Sequence, residues 1–206
     1  ILNSAEIILP ECFLNPAFSM DPTQCPAVVG GNVESSQRLV DTLIKALNIQ
    51  ACSQGTMNNF LFGDENFGYY ETICGGSGAG EGYQGASGIH THMTNTAITD
   101  PEILEQRYPV RLHRFSIREG SGGHGKWQGG HGIIREVEFL KPLQISLLTQ
   151  HRRIAPFGAE GGSSGKVGQQ FLNGERLDGI TAYSAEPGDR LRIETPGGGG
   201  WGMPES

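Results

Sequence analysis

The chain has 206 residues, with 32 Gly and 11 Pro, 36% hydrophobic and 18% charged. That is a loop-rich globular composition, long enough for one substantial core. A net charge of −7 leaves no general electrostatic reason to bind nucleic acid or an anionic membrane, and no apolar run approaches the ~18 residues of a membrane helix.

Residues 1–10 lack a basic start and a cleavage motif, so no secretory signal is read there. The four cysteines, at 12, 25, 52 and 74, form no CxxC pair, which predicts a reduced, cytoplasmic protein without a zinc knuckle. An opening without Met and without an obvious cap predicts a fragment of something longer.

Residues 7–9 read as a short strand, followed by an extended segment carrying Pro10, Pro16, Pro22 and Pro26. Leu39, Val40, Leu43, Ile44 and Leu47 then recur at helical spacing opposite Arg38, Asp41 and Lys45. This predicts an amphipathic helix near 34–50, capped by Asn32, Ser35 or Ser36, whose apolar face packs on strands of the second half. Seven glycines lie between Gly75 and Gly88, a second cluster spans 120–132 and a third 158–168. Between them, 110–118, 133–140 and 143–149 read as strands, Asn173-Gly174 as a hairpin turn, and 191–195 as a strand after the turn at Pro187-Gly188. A short helix is expected near 101–106. The predicted fold is α+β: a glycine-rich, mostly antiparallel second half with one well-defined helix. The chain is read as a single module, subdividing, if at all, into 1–108 and 109–206.

Glycine at this density produces false fingerprints. GxGxxG occurs at 80–85 and at 120–125, but neither copy opens a helix that could aim its N-terminus at a pyrophosphate. Gly120 to Lys126 fits GxxxxGK, yet Trp127 stands where magnesium needs a hydroxyl, and the following glycines forbid a helix. His90-Thr91-His92 would place two imidazoles on one side of a strand, as a metal requires. The barrel enzymes that use such a pair need βα repeats that this chain lacks, so no metal ligand is assigned. Gln54, Asn58, Asn59, Tyr70, Glu71, His90, His92, Thr94 and Asn95 suit recognition of an amide or carboxylate, or equally the capping of turns. Cys52 and Cys74 read as buried thiols.

The ordered blocks are more specific. Gly31-Asn32-Val33-Glu34 is followed by Ser53-Gln54-Gly55-Thr56-Met57-Asn58-Asn59, Tyr70-Glu71-Thr72 with Gly75-Gly76, and His90-Thr91-His92-Met93-Thr94-Asn95-Thr96. Ser121-Gly122-Gly123, Arg152-Arg153, Pro187-Gly188-Asp189 and Thr195-Pro196-Gly197-Gly198-Gly199-Gly200-Trp201-Gly202 complete the series. In this order they resemble the carboxy-terminal part of the hydantoinase B/oxoprolinase family: 5-oxoprolinases, hydantoinase B subunits and ketone carboxylase subunits. The resemblance implies ATP-dependent opening of a small cyclic amide, oxoproline or a hydantoin, by an oligomer.

It also implies that ATP with Mg binds a hydantoinase A-like partner subunit or a fused amino-terminal half, and that a divalent metal belongs to the upstream half. Within this chain it implies Glu71 or Glu34 as the base, with Asn58 and Asn59 as catalytic hydrogen-bonders. Gln54, His90, His92, Asn95, Gly75 and Gly76 would contact substrate, the glycine amides of 75–80 forming an oxyanion nest. Alone, the chain is expected to be inactive. A ketone carboxylase module and a non-catalytic assembly scaffold are the alternatives.

Overall fold

A computed structural model describes residues 29–204; the strand expected at 7–9 and the prolines after it lie outside the described residues. Helix α1 (Val29–Ala46) is followed by the hairpin β1 (Asn59–Gly63) and β2 (Gly68–Thr72), then helix α2 (Pro101–Arg107). The remaining strands are β3 (Val110–Ile117), β4 (Ile133–Phe139), β5 (Leu143–Leu148), β6 (Gln169–Leu172), β7 (Glu175–Arg176), β8 (Ile180–Ala185) and β9 (Arg190–Glu194). The fold is α+β, as the sequence predicts. The strands of its two sheets, ordered β2-β1-β5-β8 and β3-β4-β9-β6-β7, pair antiparallel throughout. Strands from both sides of residue 108 therefore share one sheet.

The two sheets enclose one apolar core. Phe60, Phe62, Tyr69, Ile145 and Leu147 from the first meet Ile133, Val137, Phe139, Leu191 and Ile193 from the second. The alternation BeBeBi along β5 is that of a strand with one face in the core. Phe139 bridges the layers edge-on to both Phe60 and Phe62. Leu104 of α2 joins this core, and Asp100 caps that helix by accepting from the Glu102 and Ile103 amides ahead of Pro101. Asn173 and Gly174, at φ 51° and 87°, form the predicted turn between β6 and β7.

Beyond the sheets, segments around 51–58, 73–89, 118–132, 156–168 and 195–202 run extended against one another. Their packing unit is the backbone. Gly198 donates to the Gly130 carbonyl, Gly199 to Cys52 and Gly200 to Ser163. Three successive residues thus bond three different neighbouring segments. A methyl group at Gly198 would lie 1.9 Å from the Ser77 carbonyl oxygen, and one at Gly130 1.9 Å from that of Ala86. Only glycine lets these backbones meet.

Helix α1 departs from expectation in two ways. It is already formed at Val29, so Asn32, Ser35 and Ser36 lie inside it rather than at its cap. It also ends earlier: Asn48 takes φ 51°, and Ile49 N–H donates back to Ile44, a left-handed C-terminal stop. More consequentially, the helix is turned over. Glu34, Gln37 and Asp41 are buried, whereas Leu43 is 48% and Leu47 68% exposed. The periodicity is real, but the helix leans on polar loops with its polar stripe instead of packing its leucines on the strands.

Candidate functional site

The buried stripe of α1 takes one residue per turn, Glu34, Gln37 and Asp41, which places them on one face. Two loops dock there. From the first, Thr56 Oγ1 donates to Glu34 Oε1 at 3.0 Å and the Met57 N–H at 2.9 Å, while Ser53 N–H donates to Asp41 Oδ1 at 3.2 Å. From the second, His92 Nε2 lies 2.9 Å from the same Oδ1, and Met93 N–H donates to Gln37 Oε1 at 3.2 Å. His92 adopts φ 54° to present its ring there.

Behind this layer Asn58 is saturated. Its amide donates to Gln54 Oε1 at 2.9 Å and the Ile73 carbonyl at 3.1 Å, and its oxygen accepts from Arg152 Nη1 at 3.0 Å and Nη2 at 3.1 Å. Burial lowers Arg152 to about 9, although the Glu34 charge opposes the shift. Three atoms of this network keep no partner: Glu34 Oε2, Gln54 Nε2 and Arg152 Nε. Buried polar atoms are rarely left so. They offer one acceptor and two donors, the complement of a cyclic amide's N–H and C=O. Burial also pushes the Glu34 carboxyl up to about 7, against the lowering effect of its bonds to Met57 and Thr56, so it can take or release a proton near neutrality.

Glu71 stands elsewhere. It points from β2 into the space between the sheets, where Arg135 of β4 grips it through Nε and Nη2, and the Tyr69 hydroxyl donates to Oε2 at 2.7 Å. Both partners are nearly inaccessible. A carboxylate held this way joins the layers and has no oxygen left for a water molecule. Asn59 lies on β1, its oxygen accepting from the Tyr70 hydroxyl at 2.7 Å. His90 turns to Thr96 at 3.3 Å, away from the partner of His92, and Asn95 is exposed. The expected residues therefore divide: Glu34, Gln54, Asn58 and His92 gather under α1, while Glu71, Asn59, His90 and Asn95 do not join them.

The glycine amides are taken up by hydrogen bonds. From Gly75 to Gly80 the six amides donate in turn to Ile89, Pro196, Ala86, Ser53 Oγ, Gly199 and Tyr83, so Gly75 and Gly76 hold backbone to backbone and leave no nest open to an oxyanion. In the GxxxxGK segment the amides of Ser121, Gly122, Gly123, His124 and Lys126 are spent likewise, on Arg118, His131, Gly198, Ser163 and Gly202. Neither glycine segment presents a run of open amides to the phosphates of ATP.

Sequence reasoning missed Asp41, assigned to the outer face, and His151; Arg152 entered only through the Arg152-Arg153 block. The stripe Glu34-Gln37-Asp41 was the available signal. Two clefts, of about 680 Å³ beside β1, β5 and β8 and about 580 Å³ over β6 and β9, include none of the predicted site residues.

The family model for hydantoinase B/oxoprolinase matches residues 2–204. The chain is 52% identical over 188 residues to 5-oxoprolinase 1 of Arabidopsis thaliana, covering 89% of this chain and 15% of that protein. It superposes on the ATP-dependent caprolactamase of Pseudomonas jessenii with a TM-score of 0.65 at 26% identity, covering 78% of this chain and 32% of that one. Acetone carboxylase shares the fold, with a TM-score of 0.55 at 14% identity over 84% of this chain and 30% of that one. The chain thus spans under a third of each of these three proteins.

Proposed function

Because the chain belongs to the hydantoinase B/oxoprolinase family, we propose that it is the carboxy-terminal module of an ATP-dependent cyclic-amide hydrolase, with Glu34 as its proton-handling group. The observation that carries this reading is the buried Glu34 carboxyl, pushed up to about 7 with Oε2 unpartnered. Glu34 as a carboxylate accepts the proton of the attacking water, and as an acid returns it to the leaving ring nitrogen. Gln54 Nε2 and Arg152 Nε are donors suited to the ring carbonyl and to negative charge developing there. Asn58 positions both by bonding Gln54 and Arg152 at once. ATP with its magnesium belongs to a hydantoinase A-like partner or a fused amino-terminal half, as the family membership suggests. The exposed Leu43 and Leu47 suit a surface covered by that remaining protein.

In the full-length protein, Glu34→Gln should lower oxoproline turnover about 10²–10⁴-fold while the protein still folds. Unchanged turnover would remove Glu34 from the mechanism. The 206-residue chain alone should hydrolyse neither ATP nor oxoproline; turnover by it would refute the modular reading.

A further inference from the structure

Away from Glu34, Asp41 Oδ2 and His151 Nε2 are among the other buried atoms that lack a hydrogen-bond partner. Both border the same small space. A methyl group at Gly55 would sit 2.8 Å from the first and 2.5 Å from the second, and Gly55, at φ +60°, leaves that room open. The Cys52 thiol completes the group, one ligand atom of each residue lying within 4.8 Å of the others. Asp41, Cys52 and His151 are 3%, 1% and 5% exposed.

We propose that Asp41 Oδ2, Cys52 Sγ and His151 Nε2 bind a divalent transition-metal ion of the zinc class, fastening α1 to the glycine-rich segments. The donor set selects the ion: thiolate and imidazole suit zinc and its neighbours, whereas magnesium and calcium take oxygen. Each ligand is already aimed. His151 Nδ1 donates to the Ile154 carbonyl at 2.7 Å, which fixes the tautomer and leaves Nε2 bare toward the site, the usual support of a metal-bound imidazole. Asp41 Oδ1 is held by Ser53 N–H and His92 Nε2, so Oδ2 is the oxygen left to coordinate.

The charges close as well. On binding, the Cys52 thiol releases its proton to solvent, and one thiolate with one carboxylate balances a dication, leaving its fourth position to a water molecule. The ion would join three segments remote in sequence, α1, the 51–58 loop and the 151–154 loop. This accounts for the polar inward face of a helix whose Leu43 is left exposed. The inference is independent of the role given to Glu34.

The test is cobalt substitution in the full chain, stripped of metal with a chelator. Cobalt(II) should give a thiolate-to-metal charge-transfer band that saturates at one equivalent, is abolished by Cys52→Ser and persists in Cys74→Ser. X-ray absorption of the zinc-loaded chain, which needs no variant, should show one sulfur at about 2.3 Å with nitrogen and oxygen at about 2.0–2.2 Å. Absence of the band, its survival in Cys52→Ser, or a shell without sulfur would each overturn the proposal.

Discussion

The sheet sandwich and the glycine-rich region beside it are stabilised in opposite ways. Between the sheets, large side chains such as Phe60, Phe62 and Phe139 remove apolar area from water, and damage comes from taking atoms away. In the glycine region backbones touch directly, and damage comes from adding a single carbon. One region tolerates neighbouring sizes; the other admits one residue type. The polar network lies against the second, where rigid backbone can hold unpaired atoms in place. The comparison suggests why so low a hydrophobic content still supports a site.

The sharpest way to break this contrast is a methyl group. Gly130→Ala or Gly198→Ala should cost more than about 4 kcal/mol, because the nearest atoms are backbone that cannot give way. Urea unfolding would read it, and a loss under 1 kcal/mol would show the contacts to be loose. On the sandwich side, Phe60→Ala should cost about 3–5 kcal/mol by emptying its site.

Next is the ion pair joining the layers. Glu71→Gln should cost about 3–5 kcal/mol by stranding the buried Arg135 charge, whereas Glu71→Leu with Arg135→Met should recover most of that loss. A double variant no more stable than the single would mean that Glu71 has a role beyond its partner.

Glu34 gives a smaller effect with a definite sign. Its carboxyl titrates near 7 folded, against an ordinary value of 4.5, so the folded chain binds the extra proton between those values. Its contribution is complete below about 4.5 and is lost as pH rises to about 7, a change of about 3 kcal/mol at ~1.4 kcal/mol per unit. Stability of wild type minus Glu34→Gln, followed by thermal melts from pH 4 to 8, should fall through that window; a flat difference would place Glu34 in a water-like setting. Smallest of all, Leu43→Ser and Leu47→Ser should each change the isolated chain by less than about 0.5 kcal/mol. The sequence expectation of buried leucines requires about 1.5–3 kcal/mol each.

The differences among elements explain what the sequence made legible. Strands β3, β4 and β5 and the Asn173-Gly174 turn were readable because alternation and turn chemistry are local. β1, β2 and β8 were missed. Asn59, Tyr70, Glu71 and Thr72 look like loop residues until β2 pairs with β1 and Glu71 meets Arg135 of the facing sheet. The period of α1 was correct, but its inward face depends on loops at 53–57 and 91–94, which helical spacing does not contain. Glu34 and Glu71 were both candidates from their blocks. Only the geometry separates a carboxylate locked by arginine from one with a free oxygen.

The central claim, that Glu34 handles the proton, is tested most directly by the pH dependence of kcat/KM for ATP-driven oxoproline opening in the full-length protein. Wild type should show a limb rising through an apparent pKa near 7, and Glu34→Gln should lose that limb together with about 10²-fold or more of the rate. A limb and rate unchanged in Glu34→Gln would contradict the account.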